Sequence, residues 1–174
     1  MGATAENWPN RSLIRQFRSQ NSPNGTWKGR VVVDIWALNK ITMLNAYSVP
    51  SQADILAVVQ TAKYILTVDC SSFFYQWRVK WAHQHHLTVA SHWGQKIFKI
   101  AVISYWNLSV YVQWMIDRIL QQQRLYIRVY VDDIVIFFNM LKEHLNYLHN
   151  IFNILDKMKI CLSLKKFYLA YLFI

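Results

Sequence analysis

The stretch VYVDDIVIF, residues 129–137, sets two adjacent carboxylates inside the most strand-like segment of the chain. Valine, isoleucine, tyrosine and phenylalanine surround Asp132 and Asp133, and these residue types favour β-strands. The segment is therefore predicted to be a hairpin with both aspartates at its tip. An ordinary turn is the simpler alternative, but two-residue turns favour Asn-Gly or Asp-Gly, and adjacent carboxylates repel each other. A bound Mg²⁺ explains the pair better, because Mg²⁺ takes one or two carboxylates and completes its shell with water and phosphates.

A further carboxylate stands at the end of another predicted strand. Asp69 closes YILTVD, residues 64–69. If this strand pairs with the hairpin in one sheet, Asp69 and Asp132 converge at the same edge. Three carboxylates there would hold two divalent ions, the arrangement that activates an attacking hydroxyl and stabilises a leaving oxygen in phosphoryl transfer. Unrelated surface aspartates are the alternative.

Composition narrows the class of protein. A chain of 174 residues that is 54% hydrophobic can build one compact domain or two small subdomains. Its net charge of +10 favours a polyanionic partner such as nucleic acid, although basic residues also solubilise an apolar chain. No apolar run reaches the roughly 18 residues of a membrane span, and the amino terminus lacks a signal-peptide pattern. An intracellular protein, cytoplasmic or nuclear and without a membrane partner, is predicted.

The order of elements predicts an α+β fold. After a polar lead-in at 1–29, a strand is expected at 30–34 and a helix at 51–64 that opens with a capping box. Four strands, among them QWRV at 76–79, are predicted between residues 64 and 102. Two more helices, near 112–120 and 141–155, flank the hairpin. Cys70 and Cys161 are predicted to be buried, small apolar residues.

Several segments together resemble one enzyme family. Tyr130-Val131-Asp132-Asp133 resembles the Y-x-D-D box of reverse transcriptases. The segments RVVVDIWALNKIT (30–42), PSQADIL (50–56), TVDCSSFFYQWRV (67–79) and SYWNLSVYVQWMIDRIL (104–120) follow the order seen in the polymerase of gypsy-type long-terminal-repeat retrotransposons. The match begins near residue 22. An ordered set of motifs is far more specific than a lone box.

The resemblance implies a fold and a reaction. Residues 30–174 would form an α+β palm, a ferredoxin-like antiparallel sheet with helices on one face, plus part of the fingers of a right-hand polymerase. Thumb, connection and ribonuclease H domain would be absent. The reaction would be RNA-directed DNA synthesis on a primed RNA or DNA template from deoxynucleoside triphosphates (dNTPs), with other parts of a retroelement polyprotein as further partners. A catalytically inactive nucleic-acid-binding fragment, or a pseudogene product, is the alternative.

The resemblance also assigns the catalytic residues. Asp69 and Asp132 match the family's metal-binding aspartates, and Asp133 is the third carboxylate of the box. They would hold two Mg²⁺ ions, which Mn²⁺ can replace. Lys166, beside Lys165, resembles a late lysine that protonates the departing pyrophosphate, although a lysine pair near a chain end is commonly just solvated.

Nucleotide-binding residues follow in the same way. Lys28 and Arg30 lie in the segment that reaches the triphosphate, with Arg30 the better match. Phe74 falls on the steric gate that excludes a 2′-hydroxyl, although a core aromatic is the alternative. Gln113 matches a glutamine on the helix that supports the template strand, and Tyr130 opens the box.

Some residues depart from the family pattern. Ser104 stands where the family has glycine, Ser109 where it has proline and Trp36 where it has arginine. A side chain at Ser104 is expected to crowd the nucleotide pocket. Each replacement can arise from one C to T or G to A transition, so a decayed genomic copy is our hypothesis. A cluster of His83, His85 and His86 is rejected as a metal site, because neighbouring side chains diverge on an extended loop.

Overall fold

The computed structural model describes residues 12–19, 28–163 and 168–172. The chain divides into two compact units, residues 1–44 with 77–108 and residues 45–76 with 109–174. Each unit has its own four-stranded sheet. The predicted α+β class is confirmed. None of the helices in these ranges is long and apolar enough to cross a bilayer.

The first unit is built on a sheet of strand order β2-β1-β4-β5. Its strands are β1 (Ser12–Ser19), β2 (Lys28–Val33), β4 (Thr88–Ser91) and β5 (Gly94–Ile97), and helix α1 (Trp36–Ile41) follows β2. β1 runs antiparallel to β2 and parallel to β4. The lead-in predicted for residues 1–29 therefore contains a paired strand. A core forms among buried residues of this unit: Val33, Ile35, Leu87, Val89 and Val102.

The second unit is built on an antiparallel sheet of order β6-β7-β3-β8. Its strands are β3 (Tyr64–Asp69), β6 (Ile127–Tyr130), β7 (Asp133–Phe138) and β8 (Tyr168–Leu172). Its helices are α2 (Gln52–Val59), α3 (Leu108–Ile119) and α4 (Leu141–Lys157). The sheet buries one face almost completely, through residues that alternate along three strands: Leu66, Val68, Ile127, Val129, Ile134, Ile136 and Phe138.

Helix α2 covers part of the other sheet face. Its buried Ile55 and Val59 pack with Phe137, and Tyr130 and Val135 border this cluster. The N-cap half of the predicted capping box is present, because the Ser51 hydroxyl oxygen accepts a hydrogen bond from the Asp54 N–H at 3.1 Å. The Asp54 carboxylate accepts from the Ser51 hydroxyl at 2.6 Å. The helix ends at Val59, earlier than predicted.

One predicted strand is replaced by irregular structure. Residues Phe73–Gln76 form a 3₁₀ helix, and beyond it only Arg78 makes a bridge, to Ile100. The strand predicted at 76–79 was therefore wrong. The β-favouring residues Trp77 and Val79 still bond in strand fashion, since the carbonyl of Trp77 accepts from the Ala101 N–H and the N–H of Val79 donates to Lys99.

Candidate active site

Two aspartates face each other across adjacent strands. Asp69 ends β3 and Asp133 begins β7, and the two are direct partners in the antiparallel register. Side chains of such partners lie on the same sheet face, about 4.5–5.5 Å apart at Cβ. Like charges placed directly opposite are destabilising, so a cation held between them is favoured electrostatically. The two strands do pair side by side, as the expected convergence of Asp69 and Asp132 required, but the direct partner of Asp69 is Asp133.

The tip of the hairpin differs from the predicted one. Tyr130 pairs with Asp133, so the two-residue turn consists of Val131 and Asp132 rather than of the two aspartates. Val131 has a φ of 54°, in the left-handed region that β-branched residues avoid. The carbonyl of Asp132 accepts a hydrogen bond from the Cys70 N–H at 2.8 Å. The turn is thus tied to the residue that follows Asp69.

The segment after α4 holds β3 from its other side. The N–H of Ser163 donates to the carbonyl of Asp69 at 2.8 Å, and the N–H of Ser71 donates to the carbonyl of Cys161 at 2.9 Å. Gln76 adds two bonds, from its side-chain nitrogen to the Cys161 carbonyl and from the Cys161 N–H to its side-chain oxygen. Asp69 therefore lies between two paired chain segments.

The pKa of the Cys70 thiol reflects burial and the charges of Asp132, Asp69 and Asp133, three residues that together are called the aspartate edge. The Cys70 side chain is buried. Burial, followed by the charges of Asp132, Asp69 and Asp133, raises the pKa of the Cys70 thiol to about 12. All three carboxylates therefore act on one buried atom. Cys161, in contrast, is exposed, which overturns the prediction that it is buried.

The chemistry of this edge suits a hard divalent cation. Carboxylate oxygens are the ligands that Mg²⁺ prefers, and one or two of them are enough when phosphates and water supply the rest. Within the part of the chain that the structure describes, no three acidic, histidine or cysteine side chains are gathered closely enough to hold a metal ion, so Asp69, Asp132 and Asp133 do not form a three-carboxylate site by themselves. The edge therefore fits an ion whose remaining ligands come from substrate.

Gln113 is buried against the hairpin. Its side chain, on α3, is completely inaccessible to solvent. The side-chain nitrogen donates to the Val129 carbonyl at 3.0 Å, and the side-chain oxygen accepts from the Val131 N–H at 2.7 Å. The resemblance placed Gln113 at the template and nucleotide, whereas here its amide faces the turn that carries Asp132. No sequence signal pointed to this contact.

Phe74 follows Asp69 in the sequence, and Tyr130 precedes Asp132. Phe74 is half-buried in the 3₁₀ helix Phe73–Gln76, and its ring lies 6.1 Å from that of the buried Phe73. Phe73 is therefore the core aromatic of this pair, and Phe74 keeps an accessible part. Tyr130 is half-buried beside the α2 cluster.

The basic residues expected to bind phosphates are not part of the hairpin sequence. Lys28 and Arg30 belong to β2 of the first unit, paired with Ser19 and Phe17 of β1. Lys165 and Lys166 lie outside the described residues. The three histidines lie in a 3₁₀ helix, Trp81–Leu87, rather than in an extended loop. The His85 and His86 rings approach to 3.8 Å instead of diverging.

Two departures from the family pattern are accommodated within the first unit. The Ser104 hydroxyl donates to the Val33 carbonyl at 2.5 Å, and the Ser104 carbonyl accepts from Asn39. The buried Asn39 also accepts from the Trp106 N–H at 3.1 Å. Trp36 is exposed, with the Lys40 ammonium 3.6 Å from its ring centroid. Both side chains therefore have contacts within this unit.

Sequence reasoning missed two residues beside Gln113. The Asp117 carboxylate accepts hydrogen bonds from Gln113 and from the Tyr47 hydroxyl. The four-residue spacing of Gln113 and Asp117 on α3 was the available signal, since residues so spaced are neighbours on a helix. Nothing in the sequence pointed to Tyr47.

An antiparallel sheet whose hairpin edge carries opposed aspartates is the palm that the resemblance implied. The family described as reverse transcriptase (RNA-dependent DNA polymerase) matches residues 20–171. The chain therefore belongs to the reverse transcriptase family.

The chain is also similar to the Pol polyprotein of a transposon and to the Pro-Pol polyprotein of a foamy virus. The chain is 30% identical over 161 residues to a retrovirus-related Pol polyprotein from transposon opus of Drosophila melanogaster, covering 92% of this chain and 16% of the relative. It is 33% identical over 151 residues to the Pro-Pol polyprotein of feline foamy virus, covering 83% of this chain and 12% of the relative. The chain thus spans a small part of the polyproteins it matches.

Solved structures show the same fold. The foamy viral protease-reverse transcriptase in complex with dsDNA superposes with a TM-score of 0.80 at 26% identity, over 92% of this chain and 33% of that one. The same kind of enzyme in complex with an RNA/DNA hybrid gives a TM-score of 0.79 at 25% identity, over 91% of this chain and 21% of that one. The α+β palm with part of the fingers is confirmed.

Proposed function

We propose that this chain is the palm and partial fingers of a retroelement reverse transcriptase, and that it catalyses RNA-directed DNA synthesis. The direct pairing of Asp69 with Asp133, with Asp132 on the adjoining turn, is the observation that carries the proposal. The duplexes named with the foamy viral structures support a primed RNA or DNA template as the partner. The coverage of the polyprotein relatives supports work as one part of a longer polyprotein.

In the proposed reaction, the primer 3′-hydroxyl attacks the α-phosphorus of a dNTP, a P–O bond forms, and pyrophosphate leaves. Asp69 and Asp132 would hold Mg²⁺ or Mn²⁺, with Asp133 adding negative charge beside them. When bound, two such ions activate the attacking hydroxyl and stabilise the leaving oxygen. The hydrogen bond from the Cys70 N–H to the Asp132 carbonyl fixes the turn relative to β3.

Residues outside the aspartate edge complete the proposal. Arg30 and Lys28 would contact the triphosphate, and Lys166 would protonate the pyrophosphate. Phe74 would lie under the sugar, where its half-buried ring rests beside Phe73 and a 2′-hydroxyl would collide with it. Tyr130 would border the nucleotide from β6. Gln113 would act indirectly, by holding the turn that carries Asp132.

The origin of the chain is proposed from the same resemblance. The order of motifs supports a gypsy-type long-terminal-repeat element, and the Drosophila transposon relatives agree with an element of retrotransposon origin. Trp36, Ser104 and Ser109 support a copy altered by C to T or G to A transitions. Sequencing intact copies tests this, because a substitution spectrum without a transition excess would rule it out.

A binding-only role is the second candidate. The net charge of +10 alone would bring the chain to nucleic acid, with an affinity that falls as salt rises. Such a chain would bind primed template in the absence of divalent ions and would extend nothing.

Primer extension by the purified chain tests both candidates. We expect Mg²⁺-dependent extension that Asp132→Asn abolishes while template-primer affinity stays nearly constant. Asp156→Asn is the matched control, because it makes the same change at an exposed aspartate that pairs with Lys159 at the surface. Extension that survives Asp132→Asn would refute the catalytic assignment. Binding without extension, in both variants and in the parent chain, would leave the binding-only role.

A further inference from the structure

Three side chains form a continuous hydrogen-bonded chain that ends at the hairpin. The Tyr47 hydroxyl donates to Asp117 Oδ2 at 2.5 Å. Gln113 Nε2 donates to the same oxygen at 3.1 Å. On its other side, the Gln113 amide bonds the hairpin at Val129 in β6 and at Val131 in the turn.

The partners of Gln113 permit only one orientation of its amide. An ionised carboxylate and a backbone carbonyl only accept hydrogen bonds, and a backbone N–H only donates. Asp117 and the Val129 carbonyl therefore require the NH₂ group, and the Val131 N–H requires the oxygen. A flipped amide would leave buried donors and acceptors without partners, which is destabilising.

Tyr47 fixes the far end of this chain. It lines a cavity of about 380 Å³ whose wall also contains Asp117, Arg124 and Arg128. Burial, then the hydrogen bond and the charge of Asp117, raise the pKa of Tyr47 to about 12, against a smaller lowering by Arg124. The hydroxyl thus stays protonated at neutral pH and donates its hydrogen to Asp117.

We propose that Tyr47 and Asp117 are positioning residues for the catalytic turn. Tyr47 holds the Asp117 carboxylate, Asp117 holds the NH₂ group of Gln113, and Gln113 then presents its oxygen to the N–H of Val131. The strained turn keeps the shape that presents Asp132. The value of this arrangement for catalysis rests on the proposed function, but the arrangement itself is measurable without turnover.

Hydrogen exchange at the Val131 amide is the direct test. Tyr47→Phe removes one hydrogen bond and keeps the ring, so we expect exchange at Val131 to rise about 3- to 10-fold. Tyr64→Phe is the matched control: it removes the same atom from a ring that stacks on Phe138 at 5.1 Å, at the opposite end of β3 from Asp69, and is expected to leave Val131 unchanged. Exchange at Leu66, inside β3, should not change in either variant.

A charge swap gives a second measurement. Gln113→Glu keeps the oxygen for Val131 but sets a carboxylate against Asp117, so exchange at Val131 should rise. Adding Asp117→Asn restores a donor toward residue 113, so the double variant should recover part of the protection. Independent effects of the two changes would contradict the proposed coupling.

The outcomes separate positioning from a merely structural role. Unchanged exchange at Val131 in Tyr47→Phe overturns the proposal, and so does an equal rise at Val131 and Leu66, which would report global destabilisation. In chains that extend primers, a positioning role lowers kcat and leaves the KM for dNTP unchanged, whereas the reverse pattern contradicts it. Because exchange needs no turnover, an inactive chain would count against the proposed function alone.

Discussion

The backbone N–H of Val131 donates to the side-chain oxygen of Gln113 at 2.7 Å, and Val131 itself has a φ of 54°. A β-branched residue in this conformation carries roughly 1–3 kcal/mol of strain, which persists only where the surroundings enforce it. The buried amide of Gln113 is one such constraint. Gln113 thus helps to hold Val131, the residue before Asp132, in a backbone conformation that valine rarely adopts.

Replacing Val131 by asparagine should relieve this strain. Asparagine tolerates positive φ and keeps the N–H, so Val131→Asn is expected to raise the free energy of unfolding by about 1 kcal/mol. Chemical denaturation measures it. Val135→Asn is the control, because Val135 lies in a regular strand beside the α2 cluster and should lose stability. A similar decrease in the free energy of unfolding of both variants would show that Val131 is not strained.

Shortening Phe74 should weaken discrimination between sugars. Its ring is half-buried beside Phe73, so Phe74→Val removes accessible ring surface with little loss from the core. We expect ribonucleotide incorporation, relative to deoxyribonucleotide, to rise by about one to two orders of magnitude, the 1.4–2.8 kcal/mol of a lost steric contact. Competitive primer extension measures the ratio. An unchanged ratio would remove Phe74 from the gate.

His144 should make the fold less stable in mild acid. The side chain is buried, its ring stacks on Phe138 at 4.0 Å, and burial lowers the pKa of His144 from its ordinary value of 6.5. As pH falls through 6.5, the unfolded chain takes up a proton that the folded chain does not, so the free energy of unfolding falls.

His86 would affect stability in the same direction, because burial and the charges of His85 and His83 lower its pKa. Variants at position 144 separate the effect of His144 from that of His86. His144→Leu should stabilise the chain more at pH 5 than at pH 7.5, relative to the parent. Asn150→Leu, a change to leucine at an exposed position of the same helix that carries no titratable group, should show no such difference. Equal effects of His144→Leu at the two pH values would exclude the mechanism.

The two thiols should react differently with an alkylating reagent. Only the thiolate is nucleophilic, and burial with the three aspartate charges keeps Cys70 protonated. The exposed Cys161 should therefore be labelled in the native chain, and Cys70 only after denaturation. Mass spectrometry counts the labels, and Cys161→Ser should show none in the native state. Rapid labelling of Cys70 would mean that the aspartate edge opens readily.

Local sequence signals predicted much of the fold. Ser51 and Asp54 marked the start of α2, because the cap is a contact between residues three apart. Val112, Ile116 and Leu120 recur every four residues and are all buried, and this helical repeat indicated α3, which ends at Ile119. Apolar residue type alone did not predict burial in α4, where Leu145 is 72% exposed.

The features that the sequence did not predict depend on contacts between residues far apart in the chain. Strand propensity placed the tip of the hairpin at Asp132 and Asp133, whereas the register of β7 with β6 moves the turn back by one residue, to Val131 and Asp132. Trp77 and Val79 have strand composition, but a 3₁₀ helix before them leaves only one bridge. The contact between Tyr47 and Asp117 joins residues 70 positions apart and follows no short-range pattern.

The pairing of β3 on both sides restricts how the length of this chain can vary. Asp69 is fixed by Asp133 across one edge and by the Ser163 N–H across the other. One residue inserted or deleted within Tyr64–Asp69 would turn the carboxylate to the opposite sheet face, unless both neighbours slipped as well. An extra residue in the exposed turn at His92 and Trp93, between β4 and β5, would move no aspartate. Insertions and deletions should therefore accumulate in that turn and be excluded from β3.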